Sequence, residues 1–370
     1  MFGNLGIERY AEYLTFVRQK IHALAEVAWQ EKNTLDFLLR QAKELNCQVF
    51  EEGGCLGLFF DFGKSKTVLL RAEMDALPIE EKTQLPFACK SGNMHACGHD
   101  GHCAMALGLA KYLSDLIDSG LPLPTSVNLL IVFQPAEEAE GGANYLLQRE
   151  FVKNLQFDCG FALHLFPALP KGRFFSRAGA MLAGTKEVKI TFCGEQGHIA
   201  FAEGNGRVLK GASEFLLESC EHKDGFLRFC KVQGGVATNV TCGEITLVGS
   251  MRFFEERQGE VIFDKVNAKA KKICKKHRLT YRCEQSTGIP PTVTEGDVLK
   301  KIRKYRRVQN SQKVFIGDDF GLYAKKMPVA YFLLGTGGEW GLHSCFFDFD
   351  ERLLCEGLDF CLDFLKSRGQ

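Results

Sequence analysis

The chain of 370 residues exceeds what one hydrophobic core ordinarily serves and implies about two domains. Hydrophobic residues make up 45% and charged residues 25%, which excludes a disordered chain. A formal net charge of +1 leaves no field to steer nucleic acid or an anionic membrane, so no partner of either kind is expected.

The opening MFGNLGIERYAEY lacks the charged and apolar regions of a signal peptide. The run IERYAEYLTFVRQKIHALAE then carries apolar residues at helical spacing, and CLGLFFDF and KTVLLRAEM are short β-rich runs. A helix is predicted over HDGHCAMALGLAKYLSDLID, and SVNLLIVFQPAEEAEGGANYLLQ reads as buried strand, acidic loop and helix. Strand, loop and helix in repeated order is the α/β pattern, in which sites gather at the carboxyl ends of the strands.

The texture changes near residue 183. KEVKITFCG alternates Val188, Ile190 and Phe192 with polar neighbours, and EITLVGSMRFF sets Ile245, Leu247 and Met251 opposite Arg252. A helix is predicted over GASEFLLESCEHKDGFLRF, and RLTYRCEQ closes the segment before the double proline of GIPPTV. Residues 183–290 thus read as a small α+β domain inserted into an α/β domain formed by 1–182 and 291–370. The basic run KAKKICKKHR at 269–278 reads as a solvated helix face. Beyond the insertion, DVLKKIRKYRR is a helix, MPVAYFLLG a strand, and a last helix from about Glu351 has the apolar stripe Leu354, Leu358, Cys361, Leu362 and Leu365. VNLLIVF and VAYFLLG fall far below the ~20 residues of a membrane helix.

Histidine and cysteine together supply 24 residues, yet MHACGHDGHCA packs three histidines and two cysteines into nine positions, His95 to Cys103. Fifteen cysteines scattered without periodic spacing point to reduced thiols and a cytoplasmic setting, which argues against a disulfide knot. Cys97 and His99 flank a glycine, close enough for both side chains to converge on one or two ions. Thiolate plus imidazole suits zinc, with manganese, cobalt or nickel as alternatives. No second paired motif of a closed structural zinc site is present, so further ligands must come from elsewhere: Glu137, Glu138, His164 and His343, each just after an apolar, strand-like run. Taken singly, His164 also reads as a core histidine and the acids as a wet loop. Beside a metal pair, one carboxylate can ligate while its neighbour takes a proton from a water whose pKa the metal lowers.

RAEMDALPIEE, MHACGHDGH, FQPAEEAEGGA, ALHLFP, GEQGHIA, GGVATNV, GDDFGLY and GLHSCFFDFDE resemble, in order and spacing, the amidohydrolase branch of the dinuclear-metal aminoacylase and carboxypeptidase superfamily. The resemblance runs from HALAEVAWQEKNT to the last helix. It implies a metallo-exopeptidase-like catalytic domain with a mainly parallel sheet and an inserted lid that mediates a homodimer. It further implies that Cys97 bridges two divalent ions completed by His99, Glu138, His164 and His343, with Glu137 as general base and acid and Asp75 supporting the ligands. His198 would polarise the scissile carbonyl, from its own subunit or a partner's, while Asn239 and Arg252 would lie near a small-molecule N-acyl amino acid. His95 and His102 would be supporting or structural, and Cys103 would pack in the helix. FALHLFPALPKG and GGEWGLHS are most similar to the branch members that deacetylate N-acetyl-LL-2,6-diaminopimelate in lysine biosynthesis; a broader hippurate or indole-acetyl amino acid hydrolase stays open. Departures fall at Ala25, Glu73, Glu203, Asp318 and Cys345 and bear on substrate choice. The rival classes are a non-catalytic metal-binding protein of the same fold and an enzyme using Cys97 as nucleophile.

Overall fold

The computed structural model describes residues 5–139, 141–201, 206–217, 220–222 and 225–368. The chain divides into two compact units, the first made of 1–181, 293–312 and 322–370 and the second of 182–292 and 313–321. The second unit therefore takes in a short stretch near Asp318 that lies outside the contiguous 183–290 expected from sequence texture.

The first unit is built on an eight-stranded sheet. In spatial order its strands are Gln48–Glu52, Cys55–Phe60, Asn128–Gln134, Thr67–Glu73, Phe157–Phe166, Val329–Gly335, Phe174–Ser176 and Val308–Asn310. The middle four run parallel to one another, and antiparallel pairings occur toward the edges. Every residue of 67–73, 128–134 and 329–335 is buried, as continuous rather than alternating apolar runs require of strands covered on both faces. Helices Ala11–Leu24, His99–Asp118 and Leu353–Ser367 share the same core, through residues such as Leu14, Val17, Leu107, Leu358 and Phe364. Gly108 makes the close approach possible, since a Cβ there would stand 2.3 Å from Leu14.

Helix 11–24 also carries a buried charge network. Arg18 Nε donates to Asp100 Oδ2 at 3.2 Å and Nη1 to the Phe349 carbonyl at 3.2 Å; Nη2 pairs with Asp348, and the guanidinium lies 3.8 Å from the Phe349 ring centre. His22 joins it, with Nδ1 2.8 Å from Asp100 and Nε2 3.1 Å from Glu81. A chain with a buried charge left unpaired would be strongly destabilised, so these partners hold helix 11–24, the start of helix 99–118 and the 348–351 loop in one arrangement.

The second unit is a five-stranded antiparallel sheet in the order Thr280–Gln285, Gly184–Cys193, Glu244–Phe253, Gly225–Gly234 and Cys220–His222. Val188, Ile190, Phe192, Ile245, Leu247 and Met251 are buried with residues of helices Arg207–Leu217 and Glu256–His277, among them Val208, Phe215, Ile262 and Val266. The helix expected over 211–229 is corrected: it ends at Leu217, and strands 220–222 and 225–234 pair as a hairpin. Pairing of strand 225–234 with strand 244–253 along its length outweighs the helical spacing of its apolar residues. Among the described residues no helix is long and apolar enough to cross a membrane.

His22 gives this network a pH signature. Burial by itself would lower its pKa, but the hydrogen bonds to Asp100 and Glu81 prevail and raise it to about 9. A raised folded-state pKa contributes stability that is complete below about pH 6.5 and is lost as pH climbs through about 9. Thermal denaturation should therefore show the melting temperature falling across that window, and His22→Gln should flatten the fall; an equally steep profile in the variant would detach the effect from His22.

Candidate metal centre

The parallel strands deliver the chemistry to one end of the sheet. Glu73 ends strand 67–73 with Asp75 just beyond it; strand 128–134 runs into Glu137 and Glu138; His164 lies near the carboxyl end of 157–166; and the chain leaving 329–335 reaches His343. His164 is thus inside a strand rather than after one. Gly98, with φ 84, turns the chain between Cys97 and His99, the first residue of helix 99–118. A non-glycine residue would meet that left-handed backbone with strain, and its Cβ would press on Leu165 at 3.2 Å. The His343 amide donates to the Ala96 carbonyl at 2.8 Å, tying its loop to the same turn.

The side chains converge in overlapping sets. Cys97, Glu138 and His343 offer ligand atoms within 4.8 Å of one another, and so do His99, Glu137 and Glu138. A third set, Glu73, His99, His102 and His164, is wholly buried. Cys97 Sγ lies 3.5 Å from His164 Nε2, and His343 Nε2 lies 3.2 Å from Glu138 Oε1. Glu137 Oε2 is 3.9 Å from His99 Nε2. All five residues expected as ligands, and Glu137, are therefore gathered within one unit.

Hydrogen bonds at the outer ring nitrogens decide which inner nitrogens can ligate. His99 Nδ1 faces the Asp75 carbonyl at 2.9 Å and Asp75 Oδ1 at 3.5 Å, so it carries the proton. His99 Nε2 is buried and makes no hydrogen bond, with Glu137 Oε2 3.9 Å away. His164 Nδ1 donates to the Leu165 carbonyl at 2.7 Å, which leaves Nε2 facing Cys97 as a lone pair. His102 is different. Its Nε2 accepts the Leu165 amide proton at 3.0 Å and its Nδ1 donates to Glu73 Oε2 at 2.9 Å, so neither nitrogen is left for an ion. Cys103 donates to the Glu73 carbonyl at 3.0 Å. His95 is buried with both ring nitrogens lacking a hydrogen-bond partner.

The electrostatics fit a bound dication. Burial, then the Glu138 charge, pushes the Cys97 thiol well above its ordinary range. A divalent cation reverses that, because a coordinating thiol is deprotonated outright. Burial, then His102, lowers His164 to about 3, keeping it the neutral imidazole that ligation needs. Burial opposes ionisation of Glu138, yet the His343 hydrogen bond and the His99 charge carry its pKa below the ordinary value. For His99 burial also lowers the pKa, but Cys97 and Asp75 raise it well above normal, so a cation would be held there only by displacing the Nε2 proton. His99 Nε2 and Glu138 Oε1, the latter ion-paired with His343, stand beside a thiol and a neutral imidazole and form a donor set suited to zinc, manganese, cobalt or nickel.

In the layer behind these donors, sequence reading had Asp75 and the departure at Glu73 but did not single out Arg71 or Gln134. Arg71 and Glu73 form a fully buried ion pair, and Arg71 Nε also donates to Gln134 at 3.2 Å. Burial alone raises the Glu73 carboxyl, but Arg71 and His102 outweigh it and hold the group well below its usual range. Asp75 Oδ2 accepts the Glu138 amide at 2.8 Å, beside its contact with His99. The available signal was Arg71 and Glu73 inside the otherwise apolar KTVLLRAEM, since charges enter a covered strand only with partners.

His198, Asn239 and Arg252 belong to the second unit. His198 is exposed and its Nδ1 accepts the Ala200 amide at 3.2 Å, so the neutral ring holds its proton on Nε2 as a donor. Its backbone bridges Val240, and the Ile199 amide donates to the Asn239 carbonyl at 3.0 Å, placing His198 and Asn239 side by side. Arg252 sits half-buried in strand 244–253 opposite Thr185 and Phe226, and burial lowers its pKa. Asp318 is buried, with Oδ1 accepting the Phe320 amide at 2.7 Å. Glu203 lies outside the described residues.

Elemental analysis should find about two divalent ions per chain, as overlapping donor sets of this kind imply. Cys97→Ser should lower that number, because an alcohol stays protonated where a thiol ionises; an unchanged metal content would remove Cys97 from the donor set.

Residues 69–367 match Peptidase family M20/M25/M40. Over 95% of its length this chain is 31% identical to an N-acetyldiaminopimelate deacetylase of Lactobacillus acidophilus, covering 97% of that protein. It is 30% identical to the N-acetyldiaminopimelate deacetylase of Bacillus subtilis, covering 93% of this chain and 95% of the other. An IAA-amino acid hydrolase of Arabidopsis thaliana is 29% identical over 94% of this chain and 83% of its own. The fold is also that of the Bacillus subtilis YXEP protein, a dinuclear metal binding peptidase, with a TM-score of 0.84, 24% identity and coverage of 97% and 98%. With the family match spanning most of its length and the metal-ready cluster at its centre, this chain belongs to Peptidase family M20/M25/M40.

Proposed function

We propose that this metal-dependent amidohydrolase cleaves the amide bond of an N-acyl amino acid, with N-acetyl-LL-2,6-diaminopimelate as substrate and LL-2,6-diaminopimelate and acetate as products. The observation that carries the reading is the unequal setting of two neighbouring acids. Glu138 is ion-paired with His343 in the set that includes Cys97, while Glu137 reaches toward His99 Nε2 from the adjacent position. The names of the deacetylase relatives support the choice of substrate.

In this reading Cys97, His99, Glu138, His164 and His343 would hold two divalent ions, whose chemistry when bound would be Lewis-acid polarisation of the amide carbonyl and a lowered pKa for the attacking water. Glu137 takes the water's proton and passes it to the departing amine nitrogen, acting first as base and then as acid. His198 donates from Nε2 to the carbonyl oxygen as negative charge develops there. Arg252, with Asn239 nearby in substrate contact, receives the amino acid carboxylate through its forked guanidinium. Asp75 keeps its place behind the ligands, fixing His99 through Nδ1 and Glu138 through its amide. The second unit serves as lid and as the face of a homodimer. In support, the described partner strand covers 225–234 only as far as Leu227, and Val232 beyond it is 58% exposed. The cysteines whose side chains are described are all free, which fits a reducing cytoplasm.

A second reading is favoured by one feature. Trp340 and Phe346 bracket His343 with ring centres 4.9 Å apart, and both are partly exposed, an apolar wall suited to a benzoyl or indole-acetyl group. A panel of N-acetyl, N-benzoyl and indole-acetyl amino acids, including N-acetyl-LL-2,6-diaminopimelate, assayed with zinc, manganese and cobalt separates the two. The diaminopimelate derivative should lead in kcat/KM by about tenfold or more, corresponding to ~1.4 kcal/mol in the barrier. An aromatic acyl group in the lead supports the second reading, and hydrolysis of none of them overturns both.

The acid pair is tested directly. Glu137→Gln cannot take a proton at neutral pH, so kcat should fall about 10²–10⁴-fold with metal still bound. Glu138→Gln should instead lower metal occupancy, with activity partly recovered in excess metal. The reverse pattern would exchange the two roles.

A further inference from the structure

Residues 26–31 take no part in the chemistry just described, yet they hold a buried carboxylate against the acid pair. Glu31 stands at the N-cap position of helix Lys32–Ala42, but its side chain does not cap that helix. Glu26 does so instead, accepting from the amides of Asn33 at 3.1 Å and Thr34 at 2.9 Å. The Glu31 carboxylate, 6% exposed, is thereby left to accept the Ala136 amide at 2.7 Å, across 105 residues of sequence. Ala136 is itself buried and has φ 52, a left-handed conformation that a residue with a Cβ rarely adopts. Two positions on, Asp75 Oδ2 accepts the Glu138 amide. Buried carboxylates thus hold the backbone on both sides of Glu137. Both come from one stretch of structure, because the Ala76 amide donates to the Glu26 carbonyl at 2.8 Å and Val27 bridges Ala76.

We propose that Glu31 is a positioning residue for the hydrolytic reaction: with Asp75 it clamps the backbone around Glu137 and so sets where the Glu137 carboxylate stands. The inference rests on reading Glu137 as the proton-transferring acid. A buried amide in a left-handed residue has no helix or sheet partner to satisfy it, and an acceptor delivered from elsewhere both satisfies it and selects that conformation.

The test compares Glu31→Ala and Glu31→Gln in the full metal-loaded chain, with circular dichroism and metal content checking that each is intact. Glu31→Ala should lower kcat about 10²-fold with KM nearly unchanged, the scale expected when a reacting group is displaced by about 1 Å. Glu31→Gln keeps an oxygen that accepts the Ala136 amide, and kcat should stay within about threefold of the parent, as for exchange of one hydrogen-bond acceptor by another. Hydrogen–deuterium exchange over 135–139 should speed up in the alanine variant and not in the glutamine one, a readout that needs no activity. If Glu31→Ala does not fold, Glu31→Asp, one methylene short of the amide, takes its place with the same expectation. Parent-like kcat and exchange in the shortened variants would overturn the clamp, as would a glutamine variant as impaired as the alanine one. A parent chain inert toward every N-acyl amino acid would overturn the hydrolase reading instead, and the exchange measurement would still decide the clamp.

Discussion

Parallel pairing of the strands 128–134, 67–73, 157–166 and 329–335 is the constraint on which the rest of the structure depends. Parallel strands all end at one edge, and each must be left by a crossover that returns over a face of the sheet. Both faces are then covered, so the strands can be continuous apolar runs, and the residues after them are brought together whatever their distance in sequence. Asp75, Glu137, His164 and His343 meet for that reason, although 268 positions separate the first from the last (343 − 75).

The layer behind the donors is buried, and burial determines much of its construction. Isolated charges are costly in such a place, and charged groups there come with partners: Arg71 with Glu73, Glu73 with His102, His99 with Asp75, Arg18 with Asp100 and Asp348. The partners do more than neutralise. By occupying one nitrogen of His99 and of His164 they turn the other inward, and by occupying both nitrogens of His102 they remove it from the donor set. What remains at the centre, His99 Nε2 without a hydrogen bond and the Glu138–His343 pair, marks where a cation belongs.

The second unit follows different rules. Its antiparallel sheet has one face against two helices and the other toward solvent, so its strands alternate and its sequence reads cleanly. Of the residues proposed to meet the substrate, His198 and Asn239 lie on adjacent exposed loop backbone and Arg252 is half-buried on a central strand.

Much of this was legible in the order of residues alone. Periodicity separates the covered strands of the first unit from the alternating ones of the second, because the 2.0-residue period of a half-buried strand and the unbroken apolar run of a fully buried one are imposed locally. The cluster MHACGHDGHCA announces an ion, since thiol and imidazole are the donors that bind one, and the Glu137–Glu138 pair announces two different tasks for neighbouring acids. Tertiary structure alone decided what each atom does. Residue type and helical spacing do not by themselves distinguish His99 from His102, three positions apart on one helix, and the family resemblance assigns them different roles without a physical reason; the Asp75 and Leu165 backbone groups that face them supply it. Nothing local hands the capping of helix 32–42 to Glu26 and sends Glu31 to Ala136. The hairpin at 220–234 was missed because a helical spacing of apolar residues is a weak preference that strand pairing with a distant segment can override. Local pattern follows from backbone sterics and burial of one face, whereas proton placement, capping partners and ligand choice follow from groups that only the closed sheet brings within hydrogen-bonding distance.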